Sequence, residues 1–254
     1  MDHVRGRARP GLWPPDHPGV LDALGEAEIG ELHLLPDSSN YVFIADLKHP
    51  LLGAGRAVYK PMRGERPLYD FPDGTLHRRE VAAFAFSRLL GWGLVPPTVE
   101  REGEHGPGSL QLFVDHDPNL HYFALRERAD LKTQLVRMAV FDLAANNADR
   151  KAGHVLLGAN HRLWAIDNAL CFHGDAKLRT VIWDFAGEEI DAGSVHDLAR
   201  VRQQLGTGAH AADALADLLT SAECEALLER LGDLIAEPIL PQMFPWRCWP
   251  WPLI

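Results

Sequence analysis

The sequence has few cysteines, a deficit of basic residues and no long apolar run. Its three cysteines lack metal-ligand spacing and cannot form an even disulfide framework, so we expect reduced thiols in the cytoplasm. With 25 Lys and Arg against 35 Asp and Glu, the net charge of −10 argues against a nucleic acid bound through a broad basic surface. No stretch reaches the roughly 20 apolar residues that a membrane span needs. Because a proline-rich stretch follows Arg5–Arg9, no signal peptide is predicted either.

A polar loop interrupts an otherwise apolar stretch near the middle of the chain. Residues 141–172 read FDLAANNADRKAGHVLLGANHRLWAIDNALCF, and Asp149 with its neighbours forms the polar part. Two short apolar strands, Val155–Leu157 and Leu163–Ile166, follow with hairpin-turn residues between them. Asp167 comes directly after the second strand. Two carboxylates on adjacent elements, one with a cation beside it, suit a metal and phosphate site.

These residues resemble a known pattern. Asn-x-Asp-Arg at 147–150, followed by apolar-Asp-Asn at 166–168, is similar to the catalytic and metal-binding segments of phosphatidylinositol 3-/4-kinase-like proteins, including an actinobacterial group. It also resembles the HipA-type serine/threonine kinases. The resemblance implies an α+β, two-lobed kinase-like fold, with a small antiparallel β lobe and a larger, mainly helical lobe. It also implies ATP and Mg²⁺ or Mn²⁺ as cofactors.

The resemblance assigns roles within the central loop. Asp149 would orient the acceptor hydroxyl, and Asp167 would bind the metal. Arg150 either stabilises the loop or meets a phosphate. Asn147 either braces the loop through hydrogen bonds or contacts the ligand directly.

The resemblance also divides the chain. It predicts an extended N-terminal segment, a small lobe with the nucleotide-binding residues, a large lobe with the catalytic loop and metal site, and a Trp/Pro-rich tail. These are residues 1–18, 19–114, 115–244 and 245–254. For the tail, two alternatives stay open: packing of its tryptophans onto the body, or anchoring at a membrane interface.

In the small lobe, Lys60 ends the third predicted strand and Glu80 lies on the helix that follows, for which Thr75 is a candidate cap. Such residues are usually exposed, but the resemblance implies that Glu80 holds Lys60 against the nucleotide phosphates. The expected strands cover residues 31–35, 41–47, 57–60 and 110–114.

Two further segments are expected to contact the nucleotide. Ser38, Ser39 and Asn40 form the turn between the first two strands and would offer hydroxyl and backbone donors to phosphate. An ordinary polar turn is the alternative, because no Gly-x-Gly-x-x-Gly loop is present. The backbone around Val114, at the expected boundary between the lobes, would hydrogen-bond adenine.

His154 departs from the resembling lipid kinases, which carry an asparagine at this position to bind a second metal ion. Imidazole suits Mn²⁺ better than Mg²⁺. His154 therefore either ligates Mn²⁺, or is a structural residue beside a single metal, or marks a protein that binds nucleotide without transferring phosphate.

The predicted function is phosphoryl transfer from ATP to a protein or small-molecule acceptor. A lipid acceptor is less favoured, because an acidic chain lacks a basic face for anionic membranes. Two alternatives remain: transfer of AMP with release of pyrophosphate, and a nucleotide-binding pseudokinase that recruits partners.

Overall fold

The computed structural model describes residues 11–36, 38, 40–208, 210–244 and 247–254. Within them the chain forms a small lobe built on a five-stranded antiparallel sheet and a larger, mainly helical lobe. The predicted α+β, two-lobed fold is thereby confirmed. No helix among these residues is long and apolar enough to cross a bilayer.

The small-lobe sheet has the strand order β1-β2-β3-β5-β4, with every neighbouring pair antiparallel. Helix α1, Val20–Glu26, packs near one face, where it joins a cluster containing Leu24, Ala57 and Tyr59. Because side chains alternate along a strand, Lys60 lies on the opposite face from Tyr59. The strands are β1 Glu28–Leu34, β2 Phe43–His49, β3 Gly53–Pro61, β4 Thr98–Gly103 and β5 Gly106–Leu112.

The largest differences from the predicted strand bounds are the starts of β3 and β5. β3 begins at Gly53 rather than at residue 57, and it ends at Pro61. β5 begins at Gly106 rather than at residue 110, so a glycine-containing stretch is mostly strand. The reason is steric: a Cβ at Gly108 would lie 2.5 Å from the Lys60 carbonyl oxygen, and one at Gly103 would lie 2.7 Å from the Tyr59 ring. These glycines allow close approach rather than chain reversal.

Helix α2, Leu76–Leu90, carries Glu80 and ends at Gly91, which adopts the left-handed conformation of a C-terminal cap with φ +75°. Thr75 occupies the predicted N-cap position, but its side chain accepts no helix N–H group, and its hydroxyl donates to Pro72 O at 2.7 Å. Glu65 accepts the first free helix N–H groups instead, from Leu76 at 3.1 Å and His77 at 2.8 Å.

The large lobe surrounds a continuous apolar core. Thr220 and Glu223 form a reciprocal capping box at the start of the last helix. A short hairpin, β6 Val155–Leu157 and β7 Leu163–Ala165, follows the central loop. The helices are α3 Tyr122–Leu125, α4 Lys132–Ala145, α5 Ala192–Gly206, α6 His210–Ala216 and α7 Ser221–Ala236.

The Trp/Pro-rich tail is described from residue 247 onwards. Cys248 is buried, whereas Trp249 is 38% exposed and Trp251 is 77% exposed. Packing of the indoles onto the body, one of the two predicted alternatives, is therefore wrong for Trp251.

Candidate active site between the two lobes

Lys60 lies where the sheet meets the large lobe. Its ammonium donates to Glu80 Oε1 and, at 2.8 Å, to Asp167 Oδ1. Glu80 Oε2 accepts the backbone N–H of Asn168 at 3.0 Å. One side chain from β3, one from α2 and one from the segment after β7 thus meet at a single point.

The charges at this point stabilise one another. Burial disfavours the Lys60 ammonium, but the carboxylates of Asp167 and Glu80 outweigh it and raise the pKa of Lys60 above its usual value. Burial would raise the pKa of Asp167, but Lys60 holds the pKa of this carboxyl well below its usual range. Both groups are therefore ionised at neutral pH.

Asp167 adopts the left-handed backbone conformation, with φ +56°. This conformation is uncommon outside glycine, although aspartate and asparagine tolerate it best. The side chain of Asp167 remains 44% exposed, unlike that of Glu80, which is 2% exposed. Asp167 is the carboxylate at this point that a ligand can reach.

Arg150 supports the central loop from inside the protein. Its guanidinium binds both carboxylate oxygens of Asp142 at 3.0–3.1 Å, and neither side chain is exposed. It also donates to Ile166 O at 2.7 Å and to Asn168 Oδ1 at 2.6 Å. Two roles were predicted for Arg150. Its burial is incompatible with a phosphate contact, and its hydrogen bonds stabilise the loop.

Asn147 is also fully buried. Its amide donates to Asp142 Oδ1 at 3.1 Å, and its side-chain oxygen accepts the backbone N–H of Asp149 at 2.9 Å. These bonds match the loop-bracing alternative for Asn147 and leave no exposed atom for a direct ligand contact.

Asp149 projects from this braced loop with a side chain that is 27% exposed. Lys151 Nζ lies 3.3 Å from its Oδ2, and Arg179 contributes a further favourable charge. Burial nevertheless prevails over these cations and raises the pKa of Asp149 to about 6. A carboxyl with a pKa close to neutrality can both hold and release a proton under working conditions.

His154 contacts Asp167 directly. The backbone N–H of Lys151 donates to His154 Nδ1 at 3.3 Å, so the proton of a neutral ring lies on Nε2. Nε2 is 3.2 Å from Asp167 Oδ2. Burial lowers the pKa of His154 to about 4, against the attraction of Asp167, so the ring is neutral at pH 7.

This pattern differs from that of a metal ligand. A histidine that binds metal usually donates its other ring N–H to an acceptor, whereas Nδ1 of His154 is itself the acceptor here. Its Nε2–H points at a carboxylate. Among the alternatives that the sequence left open for His154, this geometry favours a structural residue that supports Asp167, and its role as a metal ligand stays a prediction.

The residues expected around the nucleotide lie in two places. Ser38 and Asn40 line a cavity of about 40 Å³ together with Lys60 and Asp167. Ser39 lies outside the described residues. Val114 packs against Leu156, Trp164 and Ile166, and its carbonyl oxygen is 2.9 Å from His116 Nδ1.

The sequence named no partners for three supporting residues. Asp142 binds the buried Arg150 guanidinium, and Glu65 caps α2. Arg79 joins α2 to the large lobe through Cys171 O at 2.7 Å and through Glu223. An arginine directly before Glu80 was the available signal for Arg79, but nothing in the sequence names its partners.

The sheet order, α2 and the helical large lobe define a protein-kinase-like fold. Two solved structures share it. A hydra Fam20 solved with sugar has 17% sequence identity and a TM-score of 0.54, over 86% of this chain and 87% of that chain. The Helicobacter pylori proinflammatory kinase CtkA has 13% identity and a TM-score of 0.52, over 85% and 94%. At these identities the likeness shows the fold alone.

The chain belongs to the family of Protein Rv2133c from Mycobacterium tuberculosis. The two are 37% identical over 262 residues, which cover 90% of this chain and 93% of that protein. A shorter region is 30% identical over 132 residues to phosphatidylinositol 4-kinase gamma 4 of Oryza sativa subsp. japonica, covering 43% of this chain but only 23% of that protein. No protein-family model matches. The kinase-like grouping is confirmed, and the narrower lipid-kinase-like and HipA-related grouping stays a prediction.

Proposed function

We propose that this protein is an ATP- and divalent-metal-dependent phosphotransferase that acts on a hydroxyl group. The observation that carries the proposal is the position of Lys60, whose ammonium lies between Glu80 and Asp167 at the junction of the lobes. Phosphoryl transfer needs a cation for the phosphates, a carboxylate for metal and a carboxylate for the acceptor. Lys60, Asp167 and Asp149 offer these three groups within a kinase-like fold.

The donor chemistry fits Mg²⁺ or Mn²⁺. Asp167 offers hard carboxylate oxygens, and the described residues contain no group of three or more His, Cys, Asp and Glu side chains that could hold a metal alone. Magnesium is commonly bound through one or two carboxylates together with substrate phosphates. The metal would neutralise negative charge on the transferred group. Asp167 would hold it, and His154 would fix the orientation of Asp167.

Lys60 and Asp149 supply the remaining chemistry. Lys60 would exchange its contact with Asp167 for contacts with the α- and β-phosphates, while Glu80 keeps the ammonium in place. Asp149 would accept the hydrogen bond of the acceptor hydroxyl and orient it towards the γ-phosphate. The acceptor proposed is a protein or small molecule, since a chain of net charge −10 is poorly suited to an anionic lipid surface.

Thermal unfolding with ATP, alone and with Mg²⁺ or Mn²⁺, tests the nucleotide site. A ligand that binds only the folded state stabilises it by about 2.7 kcal/mol at a hundredfold excess over Kd. We expect a rise in Tm that depends on metal. No shift at millimolar ATP with either metal would contradict the proposal.

The contact of His154 with Asp167, at a position where the resembling kinases have asparagine, favours one alternative, a nucleotide-binding pseudokinase. Asp149→Asn separates the two. In a phosphotransferase it lowers ADP production by orders of magnitude with ATP affinity kept. In a pseudokinase the wild type already produces no ADP. Release of pyrophosphate instead of ADP would identify AMP transfer.

A further inference from the structure

The C-terminal segment, residues 247–254, contacts the central loop directly at one point and through Thr180 at a second. Leu253 O accepts the backbone N–H of Ala152 at 2.8 Å, and Cys248 O accepts that of Thr180 at 3.1 Å. Thr180 in turn pairs with Arg150 in an isolated bridge. The segment therefore extends the hydrogen bonding of the loop on which Asp149 is carried.

The bond from Leu253 closes a particular turn. Residues Ala152–His154 form a single 3₁₀ turn, and the first N–H groups of such a turn have no partner within it. Leu253 O satisfies the one on Ala152, which is fully buried. At the ends of this turn, Lys151 lies 3.3 Å from Asp149 and His154 lies 3.2 Å from Asp167. The hydrogen bond from Leu253 therefore supports the positions of both carboxylates of the candidate site.

We propose that residues 247–254 form a C-terminal strap that positions the catalytic loop, with Leu253 as a positioning residue. The effect on turnover rests on the proposed function, whereas the contact itself does not. The strap is held by backbone hydrogen bonds and by buried Cys248, whereas Trp251 is 77% exposed and Ile254 is 63% exposed. Loss of its exposed end therefore loosens the loop. Lys60 and Glu80 direct their side-chain hydrogen bonds to each other, to Asp167 and to Asn168, so the part of nucleotide binding that depends on Lys60 should persist.

Two truncations of the full chain test the strap. Removal of residues 252–254 deletes the Leu253 carbonyl and keeps Trp249 and Trp251, and removal of residues 249–254 deletes the tryptophans as well. Leu51→Ala, at an 89% exposed apolar side chain in the β2–β3 turn, controls for lost apolar surface. The measurements are hydrogen exchange of the Ala152 amide, ATP affinity without metal, and basal ADP production with Mn²⁺ and water as acceptor.

Both truncations are expected to speed exchange at Ala152 at least tenfold and to lower kcat at least tenfold, with the Kd for metal-free ATP within twofold of the full chain. Leu51→Ala should change none of these. The proposal is overturned if Ala152 stays protected, if kcat survives the loss of protection, or if only the longer truncation has an effect. If the full chain produces no ADP, the proposed function fails, and exchange at Ala152 alone then decides whether the strap holds the turn.

Discussion

The buried pair Asp142–Arg150 gives the sharpest quantitative test of how the central loop is held. Asp142→Asn keeps the shape of the side chain but leaves the Arg150 guanidinium buried without a counter-charge. Neither side chain has any exposure, and the guanidinium binds both carboxylate oxygens. Breaking such a pair from one side costs about 3–5 kcal/mol, because a buried charge stays uncompensated. For a chain of this size that lowers Tm by roughly 6–20 °C.

The same substitution has a matched control on the surface. Asp130 binds Arg128 through both oxygens, at 2.6 and 3.1 Å, but these side chains are 48% and 33% exposed. Exposed pairs contribute little because water and salt screen them, so Asp130→Asn should leave Tm nearly unchanged. The assay is thermal and urea unfolding of both variants with wild type. Equal effects of the two substitutions would refute the argument that burial makes Asp142 essential to the loop.

Three further predictions address the candidate site. Lys60→Ala is expected to weaken ATP affinity at least tenfold, while circular dichroism shows that the protein stays folded. An unchanged ATP affinity and rate of ADP production would show that Lys60 does not belong to the site. Asp167→Ala should abolish the metal-dependent part of the Tm rise with ATP, and full retention would mean that the metal binds elsewhere. Because the pKa of Asp149 is raised to about 6, ADP production should fall about tenfold per pH unit below that value as the carboxylate becomes protonated. Lys151→Gln, which removes a charge that favours the carboxylate, should move this fall to higher pH, and a pH profile that does not move would contradict the pairing of Lys151 with Asp149.

The two-lobed fold could be predicted because a short motif around Asp149 and Asp167 carries the resemblance to kinase-like proteins. Strand periodicity and the helix pattern after Lys60 placed Lys60 and Glu80 on neighbouring elements, and the structure shows them in contact. Periodicity located these elements, whereas the fold and the pairing of Lys60 with Glu80 came from the resemblance.

The supports of the site could not be predicted, because they depend on long-range contacts. Glu65 caps α2 from an intervening loop, and Leu253 meets Ala152 through backbone atoms that any residue has. The role of His154 depends on which ring nitrogen meets the Lys151 N–H, and sequence does not specify that geometry. The sequence does not show why glycines stand at 103 and 108, because the reason is their close approach to the Tyr59 ring and the Lys60 backbone.

The attachments of α2 determine which part of the site can move. Arg79, on the same helix as Glu80, donates to Cys171 O and Glu223 of the large lobe, and Arg200 donates to Leu89 O at 2.8 Å near the other end of α2. Glu80 is therefore fixed relative to Asn168, whereas Lys60 comes from the sheet. The Asp167 side chain is 44% exposed, whereas that of Glu80 is 2% exposed. Under the proposed function, a nucleotide phosphate would therefore replace the contact of Lys60 with Asp167, while Glu80 keeps its contacts with the Lys60 ammonium and the Asn168 N–H.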